Sequence, residues 1–343
     1  MSQPFANFDG FVIDAAQYAK WDRSIFKEMR DGGVTCVNAT IVYWESARET
    51  LSEIGKWNRL FEQNSDLIFL ARTADDIREA KSAGKTAITC AFQHCSPIEE
   101  DIDLIEIMHA LGVRFMQLSY NNQSLCAAGC YEEEDPGITR FGRQVIKEMN
   151  RVGMVVDMSH SGENSTFHAI ELSERPITIT HANPKSWQPA LRNKSDELLK
   201  ALSESGGMLG FSMYPFHLKN GPRCSLRDFC EMIASTADLM GVDHIGIGSD
   251  LVQGHGNEVV EWMRNGRWSK EMDFGEGSAD NAGWPSPVEW FSGNKDFNNI
   301  AIGLSEVGFN QNDIKKVMGE NWLNFFDDSF KQKCTILTKL LNS

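Results

Sequence analysis

Short apolar runs, each followed by a longer amphipathic stretch, alternate along this chain from Phe11 to Gly248. Phe11 to Ala16 reads as a strand, and Trp21 to Asp31 as a helix closed by Gly32-Gly33. Val34 to Val42 is a β-branched strand, Ser46 to Glu62 a helix, and Leu67 to Ala71 a short apolar run. Thr73-Ala74-Asp75-Asp76 opens a helix with a cap residue and first-turn acids, and Gly84 ends it. Thr86 to Phe92 and Val113 to Tyr120 are strands with a helix from Pro97 to Leu111 between them, and Phe141 to Arg151 is helical. Met154 to His160 and Ile177 to His181 are strands joined by a crossover helix from Gly162 to Glu174, so they run parallel. Ser195 to Ser205 and Ser225 to Met240 are helices, each followed by a strand, Gly207 to Met213 and His244 to Gly248. About eight such alternations predict an α/β fold, a (β/α)8 TIM barrel, over an open doubly wound sheet.

Two stretches break the rhythm. Asn121 to Thr139 contains the acidic run Tyr131 to Gly137 and reads as a solvated loop. Gly254 to Asn299 is long and glycine-rich and carries Trp262, Trp268, Trp284 and Trp290. A segment of that length is a lid, an oligomer contact, or a loop its tryptophans pack onto the barrel. Asn312 to Asp328 follows as an amphipathic helix with Ile314, Val317, Met318, Trp322, Phe325 and Phe326 on one face. The expected organisation is one barrel domain over 1–343, with an insertion at about 254–299 and C-terminal helices at about 312–341.

Composition narrows the function. Hydrophobic content of 41% and charged content of 24% suit a soluble globular chain. A formal net charge of −15 argues against nucleic acid or an anionic membrane as partner. Met1 to Phe5 shows no basic region leading into an apolar run, and no stretch reaches the length of a membrane span. The eight scattered cysteines then read as reduced thiols in a cytoplasmic protein, and the Cys126/Cys130 pair lacks the second pair a structural zinc knot needs. No Gly-x-Gly-x-x-Gly follows the first strand, which removes support for nucleotide binding.

Barrel chemistry sits at the carboxyl ends of the strands. His160 and His181 end successive strands; if those strands are neighbours they stand roughly 5 Å apart and two imidazoles reach one ion. The bland alternative is a pair of histidines hydrogen-bonded in a strand-end loop. Other strands end at Phe92-Gln93-His94 and Ser119-Tyr120. In Gly246-Ile247-Gly248-Ser249-Asp250 a two-residue period puts Asp250 on the face of the two glycines, which leave room for an acid pointing into the mouth. A capping role is its alternative. Arg192, in the loop after His181, is suited to grip a carboxylate, or is an ordinary surface arginine.

These residues resemble the renal or membrane dipeptidases, zinc-dependent (β/α)8 hydrolases. The resemblance runs from about Gly84 to Asp250 and rests on motifs in a fixed order. They are Gly112 to Asn121, Phe141-Gly142 to Gly153, Asp157-Met158-Ser159-His160, Pro176 to His181, Arg192-Asn193, Gly206-Gly207 and Gly246 to Asp250. It implies two zinc ions holding a bridging water, with His160 and His181 on one of them. It further implies that Asp250 handles the proton of the attacking water and leaving amine, and that Arg192 holds the substrate carboxylate. Departures are equally specific. Ala16 and Tyr18 stand where the family's first strand has a His-x-Asp metal pair. Gln93 replaces the bridging glutamate, and Tyr120 the histidine that polarises the substrate carbonyl.

Three readings follow. The first is a dipeptidase-like metallohydrolase of a dipeptide or other small carboxylate-bearing amide. Its metal ligands would be His160, His181 and Gln93, its catalytic residues Asp250 and Tyr120, and its substrate contacts Arg192 and Tyr120. At most one zinc per chain is expected, or another divalent ion, or none. The second is a repurposed barrel acting on a small N-substituted amino acid or other carboxylate. The third is a non-catalytic binding protein. Expected partners are a small-molecule substrate with a free carboxylate and, as an open alternative, further copies of the chain, with neither nucleic acid nor membrane.

Overall fold

The computed structural model describes residues 8–267, 270–271 and 275–331. Residues 1–7, Trp268, Cys334 and the 332–341 part of the C-terminal stretch lie outside them. The strands are β1 (Ile13–Ala19), β2 (Cys36–Val42), β3 (Ile68–Leu70), β4 (Thr86–Phe92) and β5 (Val113–Gln117). They continue as β6 (Val155–Asp157), β7 (Thr178–Ala182), β8 (Met208–Phe211), β9 (Ile245–Ile247) and β10 (Leu251–Gln253). Neighbours run β1-β2-β4-β5-β6-β7-β8-β9, and β9 returns to β1, Asp14 opposite Ile247. The eight staves are parallel and close into a (β/α)8 barrel.

Local chemistry sets most of the boundaries. Ser46 and Glu49 form a reciprocal cap at the start of Ala47–Gln63, as do Thr73 and Asp76 before Ala74–Ala83. Gly84 ends the second of these at φ 64, where a side chain would be strained. The apolar run at 67–71 is β3, but it is not a stave. It pairs with Thr86–Ile88, while β5 takes Cys90 to Phe92 further along the same strand.

Two expected helices differ. The stretch from Pro97 to Leu111 is a single turn, Ser96–Ile98, then a helix at Asp103–Ala110. Glu99, at φ 48, breaks the run, and Asp101 Oδ1 restarts it by accepting from the Asp103 N–H at 3.0 Å. The C-terminal helix is interrupted over Lys316–Glu320 between Gln311–Lys315 and Asn321–Ser329. There Gly319 crosses the chain so closely that a Cβ would lie 2.5 Å from the Phe11 carbonyl oxygen. The segment after Gly254 is also less irregular than expected: Asn257–Asn265 and Phe297–Glu306 are helical.

Alternate residues of the staves divide the core. Val37, Ile88, Met116, Val156, Ile179, Leu209 and Ile247 pack in one cluster with apolar faces of the helices. Ile13, Cys36, Ala87, Phe115, Val155 and Met208, from the opposite face near the amino ends, pack instead with Trp322, Phe325, Phe326 and Phe330. The C-terminal helix thus plugs one end of the barrel and leaves the carboxyl end for chemistry. No helix among the described residues is long and apolar enough to cross a membrane.

Candidate functional site

β6 and β7 are neighbours, so His160 and His181 leave the barrel side by side, their Nε2 atoms 3.0 Å apart. His160 Nδ1 lies 2.7 Å from Asn121 Oδ1, which only accepts, so Nδ1 carries the proton. Thr180 donates its hydroxyl to Asp157 Oδ2 at 2.6 Å and accepts from His181 Nδ1 at 2.8 Å. Both Nε2 atoms are then lone pairs facing each other, an arrangement that a cation between them relieves. Fixing Nδ1 from outside in this way is how imidazole ligands are oriented in metal sites. Burial, reinforced by the Arg192 charge, holds both rings well below the usual histidine pKa.

Asp250 reaches the mouth by a turn and not by strand alternation. β9 ends at Ile247, and Asp250 adopts φ 57 while its N–H donates to the Ala16 carbonyl at 2.9 Å. The room expected beside the glycines is filled. A Cβ on Gly246 would lie 2.4 Å from Trp322 Nε1, and one on Gly248 1.7 Å from the Thr180 carbonyl oxygen. Burial raises the Asp250 carboxyl to about 6 against the pull of Arg192, with Asp14 adding a little.

Arg192 is buried and not a surface residue. Its guanidinium donates to the carbonyls of Ser159 and, at 3.0 Å, His181, tying the ends of β6 and β7 together. Among the described residues two of its five N–H donors are engaged in this way. Arg192, Asp250, His160 and Tyr120 share a cavity of about 60 Å³. The Tyr120 ring stacks on His160 with centroids 3.9 Å apart, and burial drives its hydroxyl well above the usual pKa, so it stays a neutral phenol.

Gln93 is not brought into this group: its amide donates to Thr40 Oγ1 at 2.8 Å, and it does not line the cavity. The first-strand positions carry an aromatic block. Tyr18 stacks on His255 and meets Tyr43 edge-on at 4.9 Å, and Tyr43 meets Tyr120 at 5.5 Å. Two zinc ions do not fit these residues. Alanine and the packed Tyr18 ring supply no charged ligand, and no three His, Cys, Asp or Glu side chains converge on a point among the described residues. His160 and His181 offer one ion two donors, half of a tetrahedral shell.

Several cavity residues escape a sequence reading. His217, in the turn after β8, is within reach of the strand-end rule, since it lies four residues past the Gly207 to Met213 run. Glu276 and Arg264 come from the insertion and Tyr131 from the acidic loop, where no periodicity points. Tyr131 donates to Glu276, which also accepts from the Arg192 backbone N–H at 3.2 Å, so the two interruptions meet over the mouth. The tryptophans serve that packing: Trp284 Nε1 donates to Gly256 at 3.0 Å and Trp290 Nε1 to Cys224 at 2.9 Å.

Comparison with known proteins gives a consistent result. Residues 11–266 match the family described as membrane dipeptidase, peptidase family M19. The solved structure of an amidohydrolase from Pseudomonas aeruginosa is 36% identical, superposes with a TM-score of 0.89, and is covered over 97% of its length by 94% of this chain. Dipeptidase tcpJ of Claviceps purpurea is 25% identical over 82% of this chain and 60% of its own length. Dipeptidase verJ of Clonostachys rogersoniana is 30% identical over 61% of this chain and 54% of its own. The chain therefore spans little more than half the length of these two curated relatives.

Proposed function

Because the chain belongs to the membrane dipeptidase family, we propose that it hydrolyses a small amide bearing a free carboxylate, with Asp250 moving the proton. The observation that carries this is Asp250 itself. It combines a left-handed backbone at φ 57, a carboxyl raised to about 6, and a place on the cavity wall with Arg192. Strain of on the order of 1 kcal/mol and a buried charge coincide on one residue chiefly where function requires them.

In this reading ionised Asp250 takes a proton from water as the water oxygen bonds to the amide carbon. The neutral Tyr120 hydroxyl donates to the carbonyl oxygen as that atom gains charge. Asp250 then returns the proton to the nitrogen as the C–N bond breaks, giving an acid and an amine. Arg192, with Arg264 on the same wall, holds the substrate carboxylate. A second reading, one divalent ion between His160 and His181, is favoured by the convergence of their Nε2 atoms at 3.0 Å.

The test is Asp250→Asn, because asparagine tolerates the left-handed turn and removes only the charge. Loss of at least a hundredfold in kcat/KM is expected, the usual worth of a positioned general base. In the unmodified protein kcat/KM should climb as pH rises through about 6, where Asp250 ionises. Full activity in Asp250→Asn would refute the assignment.

A further inference from the structure

Asp250 stands between two cavities of opposite character. The inner one, about 60 Å³, carries the charges, with Arg192, Arg264 and Glu276 on its wall. The outer one, about 230 Å³, shares Tyr214, Asp250, Val252 and Trp284 with the inner and is otherwise lined chiefly by apolar side chains such as Met213, Leu251 and Phe291. Among the described residues no charged side chain but Asp250 lines the outer wall. His255 is on that wall too, its ring stacked on Tyr18.

We propose that the outer cavity holds an uncharged, apolar acyl group, so that the substrates are N-acyl amino acids and not free dipeptides. This rests on the reading of Asp250 and Arg192 given above. With the carboxylate held in the inner cavity, the amide lies at Asp250 and the acyl chain extends past Val252 and Trp284. An amino-terminal residue would bring an ammonium into the same space. Among the described residues the only carboxylate there is Asp250, which must remain free to take a proton from water. Hydrolysis is balanced: water oxygen joins the acyl carbon, the C–N bond breaks, and the nitrogen receives the proton, releasing a carboxylic acid and an amino acid.

Calorimetric binding of N-acetyl-, N-butanoyl- and N-hexanoylglycine tests the assignment, with glycine release followed separately. The dissociation constant should fall roughly threefold or more for each methylene added. N-hexanoylglycine should bind at least tenfold more tightly than norleucylglycine, which has the same carbon chain and one ammonium. In Trp284→Ala the gain per methylene should drop to less than half. No gain along the series, or equal binding of norleucylglycine, overturns the acyl assignment and leaves the carboxylate reading standing. Failure of every acylglycine to bind overturns both. A clear gain without glycine release upholds the acyl cavity and sinks the hydrolase reading alone.

Discussion

At Asp250 the same substitution that tests catalysis also reports on stability. The folded carboxyl titrates near 6 against 3.8 when exposed, so folding favours the protonated form. That contribution is complete below about pH 4 and is lost as pH rises through 6. Asp250→Asn, a permanent mimic of the protonated state, should therefore be more stable than the parent at pH 8, by about 1–3 kcal/mol. The advantage should vanish near pH 4 in denaturant titrations, and an advantage that persists there would mean the charge is not the cause. Arg192 carries a double load, because its fork holds two strand-end carbonyls as well as facing the cavity. Arg192→Lys keeps the charge and loses the fork. A tenfold or greater fall in kcat/KM on carboxylate substrates is expected together with a lower Tm. An unchanged Tm would show that the carbonyl contacts contribute little.

Among the elements, the C-terminal helix closes one end of the barrel by packing. Trp322 is fully buried, fills the space a Cβ on Gly246 would need, and donates to the Ile247 carbonyl at 3.0 Å. Trp322→Ala should cost about 3–5 kcal/mol, the range for a buried aromatic replaced by a cavity. A loss below 1 kcal/mol by chemical denaturation would mean that the barrel end is not closed by this ring. The helix and its apolar face are readable in the sequence, since 3.6-residue spacing is a local property. Its break at Gly319 is not, because the cause is the Phe11 backbone, distant in sequence.

For the whole molecule, the donor set bears on metal content. Elemental analysis of protein purified without chelator should find at most one divalent ion per chain, since Ala16 and Tyr18 replace two ligands and Gln93 is turned to Thr40. Two zinc ions per chain after dialysis would refute this. Simple L,L-dipeptides should be poor substrates, orders of magnitude below the family's usual efficiency, because a metal clamp on the attacking water is worth several kcal/mol. Brisk dipeptide hydrolysis would speak against the metal-poor site.

The alternation of β-branched runs and amphipathic helices was enough to define the barrel, because each element's period records which of its faces is buried. Strand ends then yielded His160, His181 and Asp250, since parallel strands must present their carboxyl ends on one edge. What a linear chain cannot record is how distant segments meet. The left-handed turn at Asp250, the anchoring of Arg192 on two carbonyls and the exclusion of Gln93 all depend on neighbours far away in sequence. The meeting of Tyr131 with Glu276, and the apolar cavity beside the charged one, depend on where two loops without periodicity come to rest. Periodicity is a local consequence of burial and survives in the sequence; the path of an irregular loop is set by the surface it packs on, which exists only once the barrel has closed.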